Sequence, residues 1–150
     1  MIHPILIHPA PILRDKSAPV PEINDRVRTL LDDMLETMYD AEGRGLAAVQ
    51  IGVLQRLVVI DTDWKEGARN PLFFVNPEIV WSSTTTEARE ERCLSIPNTP
   101  KEVIRRGRRR GRSECRRPKT AEMLFQSAFR SFTTGSPKST LVGRRADRSR

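Results

Sequence analysis

The chain has 150 residues, enough for one domain around a single core, and 30% of them are charged. Its net charge of +7 hides a split: residues 1–103 carry 11 Lys+Arg against 16 Asp+Glu, a net of −5, whereas residues 104–150 carry 15 against 3, a net of +12. No stretch approaches the roughly 18 apolar residues of a membrane span, and two cysteines without a CxxC pair, Cys93 and Cys115, exclude a disulfide framework and fit a reducing, cytoplasmic setting.

Residues 1–22 read as an extended arm punctuated by prolines, with no basic n-region or cleavage site of a signal peptide. Asn24 is a good N-cap, and Val27, Leu30, Leu31, Met34, Leu35 and Met38 follow the i, i+3, i+4, i+7 spacing of a helix with one buried face. Asp25, Arg28, Asp32, Asp33 and Glu36 take the wet side, and Gly43 follows the last periodic residue, where a helix often stops. The segment Gly43 to Gly52 is too glycine-rich for an ordinary helix and too apolar for a surface loop. Leu57–Ile60 and Leu72–Val75 read as strands, the second stopped by Asn76-Pro77, and Glu78–Trp81 as a third. Glu87–Arg92 alternates poorly, and Cys93–Pro97 closes the patterned part. One helix followed by short strands predicts an α+β fold with an antiparallel sheet. After Val103 the apolar period dissolves into arginine, glycine and serine. The expected division is therefore a domain over 1–103 and a disordered Arg-rich tail over 104–150.

Two side chains stand out. Gln50 is an amide in an apolar, glycine-flanked segment: either it ties down a tight turn or it faces a ligand. Cys93, in Glu91-Arg92-Cys93-Leu94-Ser95, has three readings: a small buried hydrophobe, a nucleophile, or a metal ligand. A nucleophile needs an imidazole or a comparable partner, and the chain offers only His3 and His8 on the arm. A catalytic zinc or iron site typically needs about three protein ligands.

Taken together, Gly43-x-Gly45-Leu46-Ala47-Ala48-x-Gln50 and the later Glu91-x-Cys93-Leu94-Ser95 resemble the first two of the three signature motifs of peptide deformylases. His8-Pro9-Ala10-Pro11-Ile12-Leu13-Arg14 is similar to that family's opening Pro-x-Pro-x-Leu-Arg, and the strands at Val58–Asp61 and Phe74–Ile79 also lie where the family has them. The resemblance covers about residues 3 to 103. It implies removal of the formyl group from the N-terminal methionine of nascent polypeptides by a hydroxide held on Fe2+ or Zn2+, and the ribosome and such polypeptides as partners. It also implies roles: Cys93 as the sulfur ligand of the metal, Gln50 and the Leu94 N–H as oxyanion donors, and Gly43, Gly45 and Leu46 as the edge that pairs with the peptide backbone.

The family's third motif, a His-Glu-x-x-His helix, supplies the other two metal ligands and the proton-moving glutamate. No histidine follows His8 here, and Arg92 stands where the family has glycine, adding bulk and charge beside the thiolate. The resemblance therefore implies an incomplete fold without its central metal-binding helix, no bound metal, and no deformylase activity. Neither the His3/His8 pair nor Cys115 rebuilds the site. Loss of that helix is expected to cost Leu46, Ile51, Val59 and the apolar helix face a partner and the burial it supplies. The abrupt change after Val103 has the composition of GC-rich DNA read out of frame. A genuine basic tail would instead bind RNA through its phosphates, making the chain a non-enzymatic, ribosome- or RNA-associated protein.

Overall fold

Helix α1 (Asp25–Asp40) forms where the sequence spacing places it. The Asn24 side chain accepts the Val27 N–H at 3.1 Å, a cap worth about 1 kcal/mol over alanine. Val27, Leu31, Met34 and Met38 are buried, and Leu30 and Leu35 pack beside them. Thr37 shares this face although periodicity of apolar residues does not reveal it; its hydroxyl donates to the Asp33 carbonyl at 2.8 Å and accepts the His3 N–H at 3.0 Å. That second bond lays the N-terminal arm along the helix. Asp33, assigned to the wet side by sequence, is in consequence only 17% exposed.

The helix ends one residue earlier than the glycine suggests. Glu42, at φ 51°, adopts the left-handed conformation. Its N–H donates to the Tyr39 carbonyl at 3.0 Å, and the Gly43 N–H to the Met38 carbonyl at 2.8 Å. This is a Schellman closure with a glutamate in the position glycine prefers.

The computed structural model describes residues 1–107 and 109–113. Strands β1 (Gly45–Ala47), β2 (Leu57–Ile60) and β3 (Leu72–Val75) form an antiparallel sheet in that order, with Leu46 opposite Val59 and Val58 opposite Phe74. All four residues of β2 are buried, as a central strand requires. Side chains alternate between faces. Leu46, Leu57, Val59 and Val75 join the helix in one core cluster, while Ala47, Val58, Ile60, Leu72 and Phe74 form a second. Leu46 and Val59, expected to lose burial with the missing helix, are nonetheless fully buried, because α1 packs over that face. Ile51 is half-buried against the same cluster.

Two further antiparallel pairs follow: β4 (Glu78–Ser82) with β7 (Arg109–Arg112), and the hairpin β5 (Thr86–Cys93) with β6 (Ile96–Arg106). The compositional break at Val103 falls inside β6, which pairs through Arg106 opposite Thr86. The hairpin is held by cross-strand charge rather than by apolar alternation. Arg105 forks onto Glu91, with Nε and one terminal nitrogen each 3.1 Å from a carboxylate oxygen, and both side chains are largely buried. Residues 104–107 and 109–112 are therefore strand and bend rather than the expected disorder. The expectation for the rest of the tail lies outside the described residues. The architecture is α+β, with one α-helix among the described residues.

The arm is extended except for a 3-10 turn at Pro11–Arg14. It is clasped at Val20: the Asn76 side chain accepts the Val20 N–H at 2.7 Å and donates to the Val20 carbonyl at 2.8 Å.

Candidate functional site

The glycine-flanked segment resolves into β1 and a 3-10 turn over Ala48–Ile51, closed by Gly52 at φ 82°. Gln50 is the third residue of that turn. Its side chain reaches back so that Oε1 accepts the Ala47 N–H at 3.0 Å, the half of a capping box that an alanine cap permits. Its Nε2 donates to Ser95 Oγ at 3.0 Å and lies 3.8 Å from Cys93 Sγ. Gln50 and Ser95 are both about 4% exposed. A donor at one end and an acceptor at the other fix which way the amide points.

Cys93 ends β5, half-buried, and Leu94 and Ser95 form the turn into β6. The structure thus brings together Gln50, Cys93, Leu94 and Gly43. A Cβ added at Gly43 would stand 2.7 Å from Leu94 Cδ1 and 3.3 Å from the Met38 carbonyl oxygen. Glycine is favoured at 43 by this close approach, since a methyl there would displace the Leu94 side chain. At Gly45 an added Cβ meets only ordinary contacts, the nearest at 3.6 Å. Leu46, expected at the peptide edge, points its side chain into the core. Ser95 was missed as a site residue, although the Cys93-Leu94-Ser95 run contains it; a serine gives no signal until its amide partner is known.

The 61–70 loop, also missed, wraps the front of β1. Asp61 is 1% exposed, and its carboxylate accepts the Tyr39 hydroxyl at 2.6 Å and the Asn70 N–H at 3.0 Å. Burial first, and then the bond to Asp61 and its charge, push the Tyr39 phenol up to about 12. The Trp64 ring stands edge-on to Tyr39, centroids 5.1 Å apart, and its Nε1 donates to the Gly43 carbonyl at 2.7 Å. Arg44 pairs with Glu66 at 2.6 Å.

The donor set of the described residues does not by itself fit a catalytic metal. Among the described residues no group of three or more His, Cys, Asp and Glu comes together. Cys93 has the Gln50 amide as its neighbour. His3 lies against Asp33, with Nε2 3.5 Å from its carboxylate, and His8 is engaged through its backbone N–H, which donates to the Ser95 carbonyl at 2.8 Å. Arg92, expected to add bulk and charge beside the thiolate, turns away instead. Its side chain is 81% exposed and pairs with Glu90 at 3.3 Å, because alternation along β5 turns it to solvent.

The family model for polypeptide deformylase matches residues 2–123. A peptide deformylase of Bartonella quintana is 47% identical over 122 residues, which are 81% of this chain and 69% of that protein. One of Rhizobium meliloti is 52% identical over 104 residues, 69% of this chain and 60% of that protein. The chain thus spans about two thirds of the length of these relatives. Among solved structures, a peptide deformylase from Legionella pneumophila superposes with a TM-score of 0.70 at 41% identity, over 75% of this chain and 65% of that one. A probable peptide deformylase from a Synechococcus phage superposes at 0.71 with 32% identity, over 75% and 76%. With the family model matched over residues 2–123 and relatives 47–52% identical to it, the chain belongs to the peptide deformylase family.

Proposed function

We propose that this chain carries the peptide-docking and amide half of a deformylase site without the metal half, and does not turn over formylated peptides. The carrying observation is that His3 and His8 are the only histidines in its 150 residues and both precede Cys93. A His-Glu-x-x-His motif supplies the nucleophile's metal and its proton acceptor together, so its absence removes both. What remains can bind. Gln50 holds its NH2 group toward Cys93, where a formyl oxygen would need a donor. Gly45 offers a bare strand edge to an extended peptide of the nascent, formylmethionyl kind. The expected setting is the cytoplasm, beside the ribosome.

The test is formate release from an N-formylmethionyl tripeptide by the purified chain, with and without added Fe2+ or Zn2+. No turnover above the metal blank is expected; turnover accompanied by one metal per chain overturns the reading. Resequencing the gene adds a second arm. A His-Glu-x-x-His codon run in another frame, about forty residues past Cys93, identifies the Arg-rich stretch as out-of-frame translation.

The +12 charge of residues 104–150 favours one further reading, a ribosome- or RNA-associated protein. RNA binding that falls steeply with added salt supports it, and no binding at low salt rejects it.

A further inference from the structure

The outer edge of β1 is bounded at both ends by side chains. The Asp61 N–H donates to the Arg44 carbonyl at 3.0 Å, and the register places Gly45 opposite Ile60 and Leu46 opposite Val59. Hydrogen-bonding residues alternate along an antiparallel pair. Arg44 and Leu46 therefore turn their backbone groups toward β2, while Gly43, Gly45 and Ala47 turn theirs outward. On that outer side the Gly43 carbonyl is taken by Trp64 Nε1 at 2.7 Å, and the Ala47 N–H by Gln50 Oε1 at 3.0 Å. The Gly43 N–H is itself used by the Met38 carbonyl. Gly45 lies between these two stops.

We infer that Trp64 is a specificity-determining residue, a stop that limits an extended peptide to pairing with Gly45 alone. The inference rests on the reading of this edge as the peptide-docking strand. Gln50 and Cys93 mark the Ala47 end as the place for the formyl group, so the peptide runs antiparallel to β1, back toward Gly43. A residue two positions beyond the one opposite Gly45 would face Gly43, and its N–H would seek the Gly43 carbonyl. The indole already holds that carbonyl. The ring is fixed by its edge-on contact with Tyr39, whose hydroxyl is bound by buried Asp61, and the loop beside it is tied by the Arg44–Glu66 pair. Added peptide length therefore finds no acceptor, and the chain recognises the first few residues whatever follows them.

Calorimetry on the full-length chain with formyl-Met-Ala-Ser and formyl-Met-Ala-Ser-Ala-Ala tests this. The unaltered protein is expected to bind both with the same Kd, and N-methylation of the pentapeptide backbone at residue four or five to change nothing. W64F keeps the aromatic ring and frees the carbonyl. It is expected to bind the pentapeptide about 2–10-fold tighter than the tripeptide, the worth of one added hydrogen bond, and N-methylation is expected to abolish the gain. Loss of affinity on N-methylation in the unaltered protein overturns the inference without any variant. Equal affinity of W64F for both lengths overturns it as well, with peptide docking left standing. Binding of neither peptide to the unaltered protein overturns the docking reading and this inference with it.

Discussion

Gln50 Nε2 donates to Ser95 Oγ at 3.0 Å, joining the turn after β1 to the β5–β6 turn across 45 residues of chain. The bond is buried at both ends, so it positions the amide and staples two sheets together. Replacing Gln50 by alanine strands the Ala47 N–H and the Ser95 hydroxyl without their partner. A loss of about 2–3 kcal/mol is expected in urea unfolding. Ser95→Ala leaves the Ala47 bond in place and is expected to cost less than half of that. Equal losses in the two variants would show that the Ala47 bond carries no weight.

Gly43 and Glu42 are neighbours with opposite demands. Glu42 is left-handed and Gly43 is not, so Glu42→Gly is expected to stabilise the chain by about 1 kcal/mol through relief of backbone strain. Gly43→Ala is expected to destabilise it by about 1–2 kcal/mol, because the new methyl meets Leu94. In a Leu94→Ala background most of the Gly43→Ala penalty should vanish, and a double-mutant cycle on thermal unfolding measures that coupling.

Tyr39 is the one tyrosine of the chain, so its ionisation can be followed alone by phenolate absorbance. The folded phenol is expected to titrate near 12, against about 10 in the unfolded chain. The folded state then holds a proton that the unfolded state has released. Its contribution to stability is complete below pH 10 and is lost as pH rises from about 10 to 12. Tyr39→Phe should flatten that part of the stability profile. A wild-type phenol that titrates near 10 while the protein is folded would refute the Tyr39–Asp61 bond.

Cys93 offers a metal one thiolate. Dialysis against Zn2+ followed by metal analysis is expected to leave well under one zinc per chain, and Cys93→Ser should not change that figure. A stoichiometric zinc lost on Cys93→Ser would mean that ligands outside the described residues complete a site.

The helix, its cap and strands β2, β3 and β4 were legible because each follows a local rule: period 3.6 for α1, short β-branched and aromatic runs for β2 and β3, and an Asn-Pro stop just before β4; β1, three residues in a glycine-flanked segment, was not read as a strand. The hairpin β5–β6 was not legible. Its strands are held by cross-strand charge, such as Arg105 on Glu91, and an apolar period cannot report that. Gly43 looked like a helix stop and does close α1, but it is also a contact residue, because the steric demand comes from Leu94, fifty-one positions away. Gln50 and Cys93 were legible through their motifs. Ser95 and Trp64 were not, since each acts through long-range contacts that leave no local pattern.

The two-bond clasp between Val20 and Asn76 orders events in time. The partners are separated by 56 residues, so during synthesis Val20 emerges well before the side chain that will hold it. Until then the arm has no clasp for its backbone at that point. Val20, though made early, can be clasped only after β3 has been made, and a nascent chain halted before Asn76 should remain open to cleavage near Val20.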